Sequence, residues 1–142
     1  DTPIYLTNGP HVVPPGPIVF VPGEARLMPE SEPNLENVRG YLAKFTEVTK
    51  LTVYVWADEA GTPEEAHQLA IKRARVLSEW LIAHGVACQR LSATGVEQDK
   101  TGRIHRPGRP VTMVTFTIEE KNGKAIDNGP PFGTPVGKLC PN

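Results

Sequence analysis

Residues 51–56, LTVYVW, are followed six residues later by TPEE and then by apolar residues at helical spacing, and this order restricts the fold most. An unbroken run of β-branched and aromatic residues fits a buried strand. Thr62-Pro63-Glu64-Glu65 is a capping box, in which the Thr62 hydroxyl accepts from the Glu65 amide while Glu65 reaches back. Ala66, Leu69, Ala70, Arg73, Leu77 and Trp80 or Leu81 then fall on one face, and Gly85 supplies a stop. A short strand follows around Arg90–Thr94 and ends at Gly95. Strand, helix and strand in this order make a right-handed crossover that lays the helix on one face of a sheet.

The same grammar occurs upstream. Ile18-Val19-Phe20-Val21, ended by Pro22-Gly23, predicts a first strand. Ser31 or Glu32 precedes Pro33, whose missing N–H suits a first helical turn, and Leu35, Val38, Leu42, Phe45 and Val48 give one buried stripe. Val111 to Ile118 predicts the last long strand, with Val114, Phe116 and Ile118 alternating against Thr115 and Thr117. Asn122-Gly123 predicts a tight turn. The expected order is β-α-β-α-β-β, a two-layer α/β (α+β) sandwich with a mixed sheet and both helices on one face. Tyr54 and Trp56 are expected to pack in the core or under a helix, although an exposed Trp56 would suit stacking on a sugar. Outside the domain at 17–120 lie a Pro/Gly-rich N-terminal arm, 1–16, and an irregular C-terminal tail, 121–142.

Composition then removes whole classes of function. The 142 residues suffice for one core, and a formal net charge of −1 lacks the basic field that nucleic acid requires. No run of eighteen apolar residues exists, so no transmembrane segment is expected. No secretory leader is visible ahead of Asp1, and a trimmed product would read the same. His67 and His84 lie seventeen residues apart on one predicted helix, too far to share a metal, and Glu64 and Glu65 suit the helix dipole. No metal site, no cofactor and no catalytic arrangement of Ser–His–Asp or Cys–His type is expected; the chain reads as a non-enzyme. Cys88 and Cys140 could close one disulfide that staples the tail to the core, or stay two separate thiols.

The chemistry concentrates at the second strand–helix junction. Asp58 follows the strand, Gly61 permits a tight turn, and the helix opening at Thr62 presents unpaired N–H groups to an anion. Asp58 could hold an ammonium, and Arg73 offers a planar fork for a carboxylate. Together they suit an amino-acid-like ligand. The alternatives are an Asp58 that caps turn amides and an Arg73 on a solvated basic face. Eleven residues separate Thr62 from Arg73, about 16 Å of helix, so spacing alone does not join Arg73 to Asp58. Arg103-Ile104-His105-Arg106, with Arg109, forms a basic cluster in the polar loop 97–108.

Asp58-x-x-Gly61, followed by Leu69 and Arg73-Ala74, resembles the motif TD-x-x-G…N-x-x-L-S-x-x-R-A of the OmpA-like C-terminal domain family, without a gap from Asp to Arg. Trp80 to Val86, Arg90 to Gly95 and Arg109-Pro110-Val111 resemble later elements of that family in order, and the likeness runs over roughly 17–120. The resemblance implies a periplasmic, outer-membrane-associated domain of a Gram-negative bacterium that binds peptidoglycan without catalysis. It implies that Asp58 takes the ammonium, and Arg73 the carboxylate, of diaminopimelate in the stem peptide, with Gly61, Thr62, Ala66 and Arg109 around them. An oxidising periplasm also favours the Cys88–Cys140 disulfide. Ala57, Ala66, Ala70 and Gly108 replace polar residues of the family pattern. Each donor lost from a carboxylate site lowers affinity by about 1–3 kcal/mol. The alternative is therefore an OmpA-like scaffold with a degenerate pocket that acts as a structural or protein-interaction domain in the envelope, its Pro-rich arms docking on other envelope proteins.

Overall fold

The computed structural model describes residues 5–58, 62–96, 111–127 and 133–140. In chain order these form β1 (Leu6–Asn8), β2 (His11–Val13), α1 (Glu32–Lys44), β3 (Val48–Asp58), α2 (Pro63–Ala83), β4 (Leu91–Val96), β5 (Val111–Lys121), β6 (Lys124–Ala125) and β7 (Thr134–Pro135). One sheet carries the order β1-β2-β5-β3-β4-β7, with β6 beside β5. Only the β3–β4 pair is parallel among the described pairings, as a crossover through α2 requires. The fold is the expected two-layer arrangement, a mixed sheet with two helices.

Alternation decides which face the helices cover. Leu51, Val53, Val55 and Ala57 of β3 are buried, as are their register neighbours Leu91 and Ala93 of β4 and Phe116 and Ile118 of β5. They join one core with Leu35, Val38 and Leu42 of α1 and Ala70, Ala74, Leu77 and Leu81 of α2. The other face carries Thr52, Tyr54 and Trp56, which corrects the expectation that the two aromatics pack in the core or under a helix. Both are half-buried there; the Tyr54 hydroxyl donates to Glu119 Oε1 at 2.6 Å, and the two rings lie 6.1 Å apart.

Two further expectations change. Ile18–Val21 is not a strand of the sheet; it folds back on itself through a single bridge, Phe20 to Leu27. Its backbone groups are already occupied. The Val19 N–H donates to Ser31 Oγ at 2.6 Å, the Ser31 hydroxyl donates back to the Val19 carbonyl at 2.9 Å, and the Met28 N–H takes that same carbonyl. The N-terminal arm instead supplies the strand: β2 pairs with β5 and buries Val12 in the core. The tail likewise contributes β6 and β7, so neither flank is wholly irregular.

Helix α2 follows its side-chain signals. The Glu65 amide donates to Thr62 Oγ1 at 3.1 Å, and the Thr62 hydroxyl donates to the Glu65 carboxylate at 3.2 Å. At the far end Gly85 adopts φ 107°, a conformation disfavoured for other residues, and lets Val86 N–H reach the Leu81 carbonyl and Gly85 N–H the Ile82 carbonyl. Cys88 and Cys140 form a disulfide across a sequence separation of 52.

Candidate functional site

Because β3 and β4 run parallel, their carboxyl ends at Asp58 and Val96 lie side by side, on the side of the sheet where α2 begins. Open α/β sheets place ligands at such carboxyl ends, beside helix N-termini. Asp58 is the last residue of β3, in register with Val111. Thr62 caps α2 directly after the connection.

Arg73 lies three turns into α2, and the structure places it on no basic surface. It is 0% exposed, and it is the only charged side chain among the buried described residues. Its Nε donates to the Glu24 carbonyl at 2.9 Å and its Nη2 to the Val21 carbonyl at 3.2 Å. The guanidinium plane stands over the Phe20 ring, 4.8 Å from its centroid. Two carbonyls and an aromatic face hold the buried cation in one orientation. Lys72 beside it is exposed and Arg75 is half-buried, so Arg73 alone of the three turns fully inward.

The remaining expected site residues divide. Ala66 is buried in the first turns of α2, and Ala57 and Ala70 are buried with it. The Asp58 side chain, Gly61, Gly108 and Arg109 lie outside the described residues, as does the basic cluster of the loop 97–108. Sequence reasoning missed the turn that meets Arg73: the carbonyls of Val21 and Glu24, presented by Pro22-Gly23 and closed by Glu24 N–H on the Val21 carbonyl at 3.0 Å. The Pro-Gly pair signalled a turn there, but nothing marked its carbonyls as partners of a distant arginine.

A close approach sets where α2 sits over β4. A Cβ at Gly95 would lie 2.6 Å from the Ile71 backbone nitrogen and 2.8 Å from its Cα. Only a glycine lets the helix settle there, two residues before Arg73.

Two chemical features therefore lie along α2: its capped N-terminus at the carboxyl edge of a parallel strand pair and, about three turns further on, a buried, oriented guanidinium. A helix N-terminus and a guanidinium are each groups whose chemistry suits a carboxylate. The family model described as the OmpA family matches residues 19–109. An outer membrane protein of Borrelia burgdorferi B31 is similar in structure, with 19% identity and a TM-score of 0.58, covering 81% of this chain and 95% of that one. The OmpA-like domain of FopA1 from Francisella tularensis is similar too, with 19% identity and a TM-score of 0.56, covering 83% of this chain and 82% of the other. No curated protein matches the sequence.

Proposed function

This chain belongs to the OmpA family, whose domains generally bind peptidoglycan in the cell envelope, and from that premise we propose a non-catalytic wall-binding module. In this reading it anchors an outer-membrane or periplasmic protein of a Gram-negative bacterium to the wall through stem-peptide diaminopimelate. The free end of that residue carries an ammonium and a carboxylate. Asp58 takes the ammonium and Arg73 takes the carboxylate through its guanidinium.

The observation that carries the reading is the buried Arg73, held in place by the Val21 and Glu24 carbonyls. A side chain already fixed in one rotamer loses little entropy when it binds, so more of the contact appears as affinity.

Retention on purified sacculi tests it. Wild type is expected to bind diaminopimelate-containing sacculi, with free diaminopimelate competing, and Asp58→Asn is expected to bind about 10- to 100-fold more weakly, as loss of one charge-assisted bond implies. No retention of wild type, or equal retention of Asp58→Asn, overturns the proposal.

A second reading draws on Ala57, Ala66 and Ala70, which are buried and apolar where the family pattern is polar. An OmpA-like scaffold with a degenerate pocket would serve as a structural or protein-interaction domain. Under it, wild type leaves sacculi unbound while Ala66→Asn gains retention; if both stay unbound, the surface serves some other partner.

A further inference from the structure

At the edge of the sheet opposite β1, the C-terminal segment 133–140 runs along β4 and is fastened at its two ends by different means. At one end β7 pairs antiparallel with β4, Gly95 opposite Thr134 and Thr94 opposite Pro135, and the Val136 N–H donates to the Ala93 carbonyl at 2.8 Å. In an antiparallel ladder this places Pro135 in a pair that exchanges no hydrogen bonds, so its missing N–H costs nothing there. At the other end Cys140 is joined to Cys88, in the short turn that leads from α2 into β4. Between the two fastenings the segment stands off the sheet. It borders an open cleft of about 350 Å³ lined by Leu91 and Ala93 on one side and by Val136 and Leu139 on the other.

From this geometry we infer that segment 133–140 is a redox-released strap over the β4 edge. With the disulfide closed, two ladder pairs and two half-buried apolar side chains hold the strap. A strand two residues long is not stable alone, so these contacts depend on the cross-link that keeps their ends together. The main core does not depend on it: α2, β3 and β5 interlock through Val53, Val55, Leu77 and Phe116, each fully buried, and β4 joins them through the buried Leu91 and Ala93. Opening the bond therefore undocks the strap and leaves the sandwich folded. It also bares the outer edge of β4 at Ala93–Gly95, whose backbone groups are the kind that accept an added strand.

The chemistry is thiol–disulfide exchange with a dithiol. One thiolate of the reductant attacks a sulfur of the Cys88–Cys140 bond and the other cysteine leaves as a thiolate. The second thiol of the reductant then closes the reductant's own disulfide and releases the first cysteine. Two electrons pass to the protein, and the two sulfurs finish as thiols after taking two protons. Both cysteines are partly exposed, so a reductant can reach them. Lys50 and Lys138 line the same cleft as both sulfurs, and nearby ammonium groups favour the leaving thiolate. The inference does not rest on wall binding.

Hydrogen exchange on the full chain, with and without dithiothreitol, tests it. Reduction is expected to raise exchange of the Val136 amide about 100-fold, in line with the usual contribution of a cross-link, while Val53 and Val55 of β3 change less than about 3-fold. Cys88→Ser with Cys140→Ser should reproduce the reduced pattern without reductant and still unfold in one cooperative transition. Exchange that rises everywhere would make the disulfide a staple of the whole fold. An unchanged Val136 would mean that packing alone holds the strap. Either result overturns the inference.

Discussion

Gly95 of β4 faces Ile71 of α2 so closely that a Cβ on the glycine would come within 2.5 Å of Ile71 Cγ1 and 2.6 Å of its backbone nitrogen. A side-chain tip can swing away, but the helix backbone cannot. Glycine is ordinarily a poor strand residue, so its presence here reflects the approach of the helix. Gly95→Ala is expected to destabilise by about 1–3 kcal/mol, the usual cost of overpacking, read as a lower urea midpoint with an unchanged slope. Because the strain falls two residues from Arg73, the variant should also weaken sacculus retention if that guanidinium binds the wall.

Arg90 does for α1 what a C-terminal cap does for other helices. Its guanidinium donates to the carbonyls of Leu42 at 2.9 Å, Phe45 at 3.3 Å and Val48 at 2.9 Å, joining the end of α1 to the start of β3. Burial holds its pKa below the usual arginine value, yet the group stays charged throughout the physiological range. Arg90→Leu takes this donor from the Leu42 and Val48 carbonyls, while the Phe45 carbonyl keeps the Val48 N–H at 3.1 Å, at a cost of about 2–4 kcal/mol. Arg90→Lys, with a point charge instead of a fork, should recover only part of that. Thermal or urea unfolding of the two variants checks the order.

What could be read in advance follows a physical line. The start and stop of α2 are written in side-chain chemistry, at Thr62 with Glu65 and at Gly85, so its limits were legible. Ile18–Val21 has the composition of a strand, but a chain segment pairs wherever its backbone groups find partners, and Ser31 with Met28 took them first. The anchors of Arg73 and Arg90 are main-chain carbonyls, which every residue has, so no residue type announces them. Arg73 was legible as a candidate through a motif, while its burial against Phe20 emerged only from the fold. The short β2 at His11–Val13 escaped notice because a three-residue strand among prolines carries no period to count.

Tyr54 should make the fold sensitive to alkali. Burial first, then the hydrogen bond to the Glu119 carboxylate, raise its pKa well above the usual phenol value near 10. The native state thus favours the neutral phenol. That contribution is complete below the ordinary value and is lost as pH climbs from about 10 towards the higher folded value. Unfolding free energy should fall over this window, and Tyr54→Phe should fall less steeply while starting about 1 kcal/mol lower at neutral pH for want of the hydrogen bond. Tyr41, also raised by burial, remains in both proteins and sets the residual slope. Denaturant titrations at several alkaline pH values give the comparison.

Arg73 and Asp58 should separate stability from binding. Arg73 holds the Val21–Glu24 turn to α2 from a fully buried position, so Arg73→Ala takes the guanidinium from the Glu24 carbonyl, leaves the Val21 carbonyl with the Glu24 N–H alone, and opens a hollow beside Phe20. A loss of about 3–4 kcal/mol is expected, enough to lower the melting temperature by many degrees in a chain this size. A failure of that variant on sacculi would therefore mix two causes. Asp58 stands at the carboxyl end of β3, where a change to Asn preserves shape and removes charge. Asp58→Asn is expected to melt within about 0.5 kcal/mol of wild type while losing retention. The informative contrast is Arg73→Lys, which keeps the charge but not the fork. Its retention at temperatures well below its own melting point should fall further than its stability alone predicts if the guanidinium meets a carboxylate. Retention equal to wild type under those conditions would assign Arg73 to the turn alone.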